Sequence, residues 1–328
     1  MSQERRSWLE SLLRKLGKKG SPAKATREVL RDQVRELSQQ VDALKILVAR
    51  GLIRDFYRQE EPLPLAQAEF KVFSQFGDDG IIQYLVQKLD LPACEQRFVE
   101  FGVEDYTESN TRFLLLNNNW SGLIMDGSEE FMASVRRSDI YWRHDLTALA
   151  RFITRENINA LLEEAGFQGR IGLLSIDIDG NDYWVWEAIT AVNPAVVIVE
   201  YNSLFGPHAP VTIPYQADFA RRRAHYSNLY WGTSLAALCH LAAKKNYVWI
   251  GCNTAGNNAY FVRKAAAGRF LHPKLPEGFV EARFRQGRDP DGSLNHLGPK
   301  TGFALVKHLP VWDVIQNRQR QISDLEPG

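Results

Sequence analysis

Three cysteines in 328 residues, Cys94, Cys239 and Cys252, are too few and too scattered for a disulfide framework, and no CxxC spacing offers a structural zinc site. A reducing, cytoplasmic setting is expected. No stretch approaches the roughly 20 consecutive apolar residues that cross a bilayer. The basic start of the chain has neither the apolar run nor the small-residue cleavage site of a secretory signal. Charge of one sign is not in excess either: 40 Lys and Arg stand against 39 Asp and Glu, a formal net charge of +1. Such a chain has no overall field to gather a polyanion, and no nucleic-acid partner is expected. What is present, 45% hydrophobic residues over this length, can bury a sizeable core.

The first sixty residues differ from the rest. Leu30, Val34, Leu37, Val41, Leu44 and Val48 alternate by four and three, a heptad seam flanked by Arg31, Arg35, Glu36 and Gln39. This pattern suits either a short coiled coil joining two copies through residues 30–52 or a lone amphipathic helix on its own domain. Ahead of it, Leu9, Leu12, Leu13 and Leu16 share a helical face with Arg5, Arg6, Arg14, Lys15, Lys18 and Lys19 around them. Residues 5–19 therefore fit either peripheral contact with the anionic inner face of a membrane or a solvated terminal helix. Pro62 and Pro64 close this extension, residues 1–60.

From about Phe70, short apolar runs alternate with helix-length segments. The runs are Arg97–Phe101, Gly122–Met125, Gly172–Ile178, Ala195–Glu200, Tyr247–Gly251 and Ala259–Val262. Between them, Thr107–Asn118, Ser128–Arg137, Arg155–Ala165, Tyr183–Val192 and Ser234–Lys245 carry helical spacing or caps. The alternation predicts an α/β fold of the Rossmann-like kind, a mostly parallel sheet with helices on both faces over residues 66–265. Residues 266–328, rich in Gly, Pro and Arg, read as a loop-rich extension with a final strand.

In such a sheet the ligand sits at the carboxyl ends of the strands. After the first run comes Glu100-Phe101-Gly102-Val103-Glu104-Asp105-Tyr106. A pyrophosphate needs several glycines and no carboxylates at this turn; here one glycine stands among Glu100, Glu104 and Asp105. The turn repels a dinucleotide and suits a ligand carrying a sulfonium and an ammonium. Asp126, ending the next run about twenty residues on, is placed to meet a ribose hydroxyl, or to cap the helix near Ser128.

The densest polar cluster follows the third run: Asp177, Asp179, Asn181 and Asp182. Carboxylates spaced i, i+2 at the end of a strand point the same way, able to hold a divalent cation or to orient an acceptor hydroxyl and take its proton. An EF-hand is excluded, since Ala188 stands where a calcium loop has Glu. The pair also matches the Asp-x-Asp of metal-dependent glycosyltransferases, a competing reading. Asp182 reads as a helix cap. Past Glu200-Tyr201-Asn202, His208 on a proline-rich loop is a candidate general base.

Residues 70–265 resemble FkbM-type S-adenosylmethionine-dependent methyltransferases, chiefly of an uncharacterised bacterial branch. The resemblance rests on Leu174 to Trp184, Ser74 to Gly80, Phe98 to Gly102, Asn110, Trp120-Ser121-Gly122, Glu156 to Asn159 and Glu200-Tyr201-Asn202. It implies the seven-stranded class I methyltransferase fold with its last strand antiparallel, and S-adenosyl-L-methionine as cofactor. Gln75, Glu100, Gly102, Glu104, Asn110, Asp126 and Asp177 are the implied cofactor contacts. Asp177, Asp179, Asn181 and His208 stand as catalytic candidates, with a cation on Asp177 and Asp179 open but not required. O-methylation of a sugar, natural-product or glycolipid hydroxyl is the implied activity; a non-catalytic assembly protein is the remaining alternative. The chain departs from the family at Glu104-Asp105-Tyr106, where a small residue and glycine are more usual after Gly102.

Overall fold

The computed structural model describes residues 20–325. Contacts divide the chain into residues 1–52 and 53–328. In the first unit the described part is helix α1 (Gly20–Phe56), whose last turn belongs to the second. All six heptad residues from Leu30 to Val48 are exposed, whereas Ala49, off the seam, is buried. The basic stretch 5–19 lies outside the described residues. Among the described residues no helix is long and apolar enough to cross a membrane.

In the second unit the strands are, in chain order, β1 (Arg97–Phe101), β2 (Ser121–Asp126), β3 (Leu146–Ala150), β4 (Gly169–Ile176), β5 (Val192–Glu200), β6 (Val211–Thr212), β7 (Tyr247–Cys252), β8 (Asn258–Arg263), β9 (Pro310–Asp313) and β10 (Arg318–Gln321). Seven form one sheet in the order β3-β2-β1-β4-β5-β8-β7, parallel except that β8 runs against both its neighbours. This is a Rossmann-like α/β topology, with the reversed strand that the class I methyltransferase resemblance implies.

The continuous apolar runs serve two cores because successive side chains leave a strand on opposite faces. Phe98, Ile124, Leu173 and Ile198 pack with Ile81 and Leu85 of α2 (Asp78–Leu89) and with Met132 and Val135 of α3 (Glu129–Arg136). Val99, Phe101, Leu123, Leu174 and Val197 face the other way. They meet Ile158 and Leu162 of α4 (Ile158–Glu164), Trp186 of α5 (Asp182–Ala188) and Leu238 of α6 (Leu235–Lys244).

Several expectations are corrected. Residues 107–111 are not helical, because the Glu100 carboxylate takes the N–H groups of Asn110 and Thr111. The helix expected to reach Val192 ends at Ala188, and residues 192–194 open β5. Pro194 is tolerated there because β8 pairs only from Val196 onward, leaving that edge without a ladder partner to miss. Strand β3, Leu-Thr-Ala-Leu-Ala, has little β-branching and is held at the sheet edge by pairing with β2. The boundary at 265/266 is not a break in packing. Strands β9 and β10 and helix α7 (Pro299–Val306) return to the segment after β5: β9 pairs with β6, and Phe205, Val211, Trp231, Val306 and Ile322 form a third core.

Adjacent β1 and β4 bring the turns that follow them into contact. Gly102 has φ +74°, and a Cβ there would lie 1.6 Å from the Asp177 carbonyl oxygen, so only glycine fits. Gly102→Ala is expected to destabilise the protein by about 3 kcal/mol in denaturant melts. Gly268→Ala, with nothing within 4 Å of its Cβ, should change stability by less than about 0.5 kcal/mol. Equal effects would refute the close-approach account.

Candidate functional site

A cavity of about 490 Å³ opens over the carboxyl ends of β1, β2, β4 and β5. Its first wall is the turn after β1. Gly102, Glu104 and Tyr106 have φ of +74°, +47° and +60°, so every second residue is left-handed, as in a glycine-rich turn, although two carry side chains. The turn is held at both ends. The Tyr106 hydroxyl pairs with Thr111 Oγ1 at 2.9 Å, and Glu104 N–H donates to Asp126 Oδ2 at 3.0 Å.

Asp126 also accepts the Ser128 N–H at 2.8 Å on its other oxygen. The helix cap itself is Ser128, which accepts from Phe131 N–H. Each Asp126 oxygen thus has one backbone bond and a remaining lone pair toward the cavity. Beside it, Met125, Phe131, Phe152 and Ile153 give the cavity an apolar flank.

Glu100 lines the cavity but uses both oxygens on the protein: Oε1 accepts from Asn110 N–H at 2.8 Å, and Oε2 from the Thr111 N–H and hydroxyl. Burial outweighs these bonds and pushes its carboxyl above the usual range. Its place is to shape the loop, with Asn110 at the rim donating to Ser175 Oγ at 3.0 Å. Gln75 is exposed at the mouth. Glu104 is raised by burial and by Asp105 and Asp126.

The opposite wall gathers Asp177, Asp179 and Glu200, whose carboxylate oxygens lie within 4.8 Å of one another. The route is not the expected strand alternation, since β4 stops at Ile176 and Asp179 has φ +56°. Glu200, at the end of β5, is only 6% exposed, and its Oε2 has no hydrogen-bond partner. Asp179 is held by Arg221 at 2.5 Å. Arg221 also donates to Gln286 Oε1 and the Asn228 carbonyl, and lies over the Trp231 ring. Asn181 lines the same wall: its Nδ2 donates to the Gln216 carbonyl, while its buried Oδ1 has no partner.

Burial, then the neighbouring carboxylates, raises both Asp177 and Glu200 well above their ordinary range. Asp182 sits outside this group. It accepts the N–H groups of Ile178 and Gly180, tying the turn before α5, and burial pushes it up to about 6.

His208 is corrected: it is exposed on the loop after β5 and does not line the cavity. Glu200 was legible as an acidic strand end but not as a partner of Asp177. Arg221 had no sequence signal, lying in an arginine run, whereas Gln286 falls in the tract Arg283–Pro290, which the sequence leaves open between contact with an anionic acceptor and a solvated charged loop.

The sign of the pH effect follows from the raised carboxyls. Above about pH 4 the unfolded chain has released protons that folded Asp177 and Glu200 still hold, so stability falls as pH rises beyond that point. Glu200→Gln removes one member, and its thermal midpoint should gain on the wild type's between pH 4 and pH 7. Parallel curves would contradict the shift.

No family model and no curated protein matches the chain. Among solved structures it is similar to the N-terminal domain of EvdMO1 with SAH bound, at 12% identity over 65% of this chain and 94% of that one, with a TM-score of 0.37. It is also similar to a S-adenosylmethionine-dependent methyltransferase from Clostridium acetobutylicum ATCC 824, at 10% identity over 57% and 90%, TM-score 0.36. The SAH-bound Podospora anserina methyltransferase PaMTH1 aligns at 10% identity over 80% and 97%, TM-score 0.37.

Proposed function

We propose that the chain is an S-adenosylmethionine-dependent methyltransferase of the FkbM type that methylates a hydroxyl of a sugar, natural product or glycolipid. The observation that carries this reading is the acidic, left-handed turn 102–106 joined to Asp126 at the mouth of a cavity in a seven-stranded sheet with β8 reversed. The residues fit the cofactor. Asp126 keeps lone pairs for ribose hydroxyls, and the flank of Met125, Phe131, Phe152 and Ile153 suits an aromatic base. Glu104 and Asp105 favour positive charge, with Gln75, Gly102 and Asn110 completing the surround. When bound, the cofactor supplies a methyl carbon on a positive sulfur that departs as a neutral thioether.

The chain's own groups supply alignment. Arg221 fixes Asp179, leaving Asp177 and Asp179 to orient the acceptor hydroxyl and the ionised form of Asp177, whose proton affinity is raised by burial, to take the proton that oxygen loses. Asn181, through its unpartnered Oδ1, can accept from a second acceptor hydroxyl. Positioning two reactants in this way can contribute on the order of 7–11 kcal/mol. Calorimetric titration with S-adenosylhomocysteine is expected to give micromolar binding, weakened at least tenfold in Asp126→Ala; a folded wild-type protein that does not bind would sink the reading.

The partner proposed for α1 is a second copy of this chain. Its seam places Val34, Val41 and Val48 at a positions and Leu30, Leu37 and Leu44 at d, the combination that favours two parallel strands. Leu37, Leu44 and Val48 are 61%, 61% and 64% exposed in the single chain. In a parallel pair the g position Leu47 meets the partner copy's e position Leu52, and Gln40 meets Lys45; an antiparallel pair would bring the e residues Arg31 and Lys45 together. Sedimentation equilibrium should show a dimer for the wild type and a monomer when Leu37 and Leu44 are both changed to Glu. A monomeric wild type at tens of micromolar would overturn this pairing.

A further inference from the structure

We propose that Asp177, Asp179 and Glu200 form a site for one divalent cation of the oxygen-seeking class, magnesium or manganese, and that this cation holds the acceptor through two neighbouring oxygens. The second half rests on the methyltransferase reading; the first does not.

Three observations converge on the site. The three carboxylates come from two adjacent strand ends, and one oxygen of each lies within 4.8 Å of the others, close enough to share a single ion. Glu200 is more than nine-tenths buried, lines the cavity and leaves Oε2 without a hydrogen-bond partner. A buried carboxylate pair of this kind is costly unless a shared proton or a cation lies between Asp177 and Glu200, and a cation can take the proton's place. Asn181 Oδ1 on the same wall is likewise buried and unpartnered, a neutral oxygen of the kind that completes such coordination shells.

Arg221 does not answer that need. Its guanidinium bonds go to Asp179, Gln286 and the Asn228 carbonyl, and its face lies on Trp231, so none of these contacts reaches Glu200 Oε2. It bonds directly to one carboxylate of the three, and its charge only partly offsets the burial of the other two. The donor set also selects the ion: carboxylate and amide oxygens with no histidine or cysteine suit magnesium or manganese rather than zinc or copper.

Three protein carboxylates leave about half of an octahedral shell for water or ligand oxygens. An acceptor with two adjacent oxygens, a vicinal diol or a hydroxy-carbonyl, can replace two of those waters. That would set its reacting hydroxyl toward the turn 102–106 and lower that hydroxyl's pKa. Simple monohydric alcohols would be poor acceptors.

The test uses the full chain and manganese chloride alone, followed by calorimetry and by the loss of the free manganese signal in electron paramagnetic resonance. One site per chain is expected, weakened at least tenfold in Glu200→Gln. Asp179→Asn, whose side chain is largely exposed and poses little risk to folding, should weaken it similarly. His208→Ala, outside the cavity, should bind as the wild type does. Wild-type protein that fails to bind manganese, or binding unchanged in both carboxylate variants, overturns the site. S-adenosylhomocysteine is titrated in parallel: manganese binding without it supports the cation site while the methyl-transfer reading fails, and the reverse result overturns the cation site alone.

Discussion

The carbonyl of Asp177 occupies the space a side chain on residue 102 would need. Because β1 and β4 are neighbours in register, with Phe101 opposite Ile176, the chain leaving each strand must turn against the other. That contact places the acidic turn on one side of the cavity and the Asp177 group on the other. It also explains why one glycine persists where two further left-handed positions are filled by glutamate and tyrosine. Those positions are held by side-chain bonds, Tyr106 to Thr111 and Asp126 to the Glu104 N–H, in place of glycine's freedom.

A nearly neutral chain conceals a cavity lined mainly by carboxyl groups. Glu100, Glu104, Asp126, Asp177, Asp179 and Glu200 all line it, against Arg151 and Arg221. Water is scarce around the buried members, so each raises its neighbours' affinity for protons or cations. The negative first wall suits a cationic cofactor, and the negative second wall suits a hydroxyl about to lose its proton or an ion that binds it. A phosphate-bearing nucleotide would find neither.

The segment after β5 and the end of the chain build a small third core on β6, β9 and β10, and from this region Arg221 and Gln286 reach the cavity. The parallel sheet supplies carboxylates at its strand ends, and the added structure supplies the arginine that steadies one of them. The cavity wall is therefore shared between the parallel sheet and the structure built after β5.

Periodicity and residue type were enough to determine six of the seven sheet strands, five of the ten α-helices among the described residues, the acidic turn and the two places where Asp126 and Asp177 emerge. Continuous apolar runs mean burial on both faces, and a carboxylate at the end of such a run has few other places to be. The long helix that carries the heptad pattern was equally legible. Strand β3 was not, because an edge strand paired on one side needs little β-branching. The helix expected over residues 107–118 begins only at residue 112, because the Glu100 carboxylate captures the N–H groups of Asn110 and Thr111. The meeting of Glu200 with Asp177, the arrival of Arg221 and the exclusion of His208 were decided by strand order and by the third core. These are contacts between segments far apart in sequence, on which local spacing carries no information.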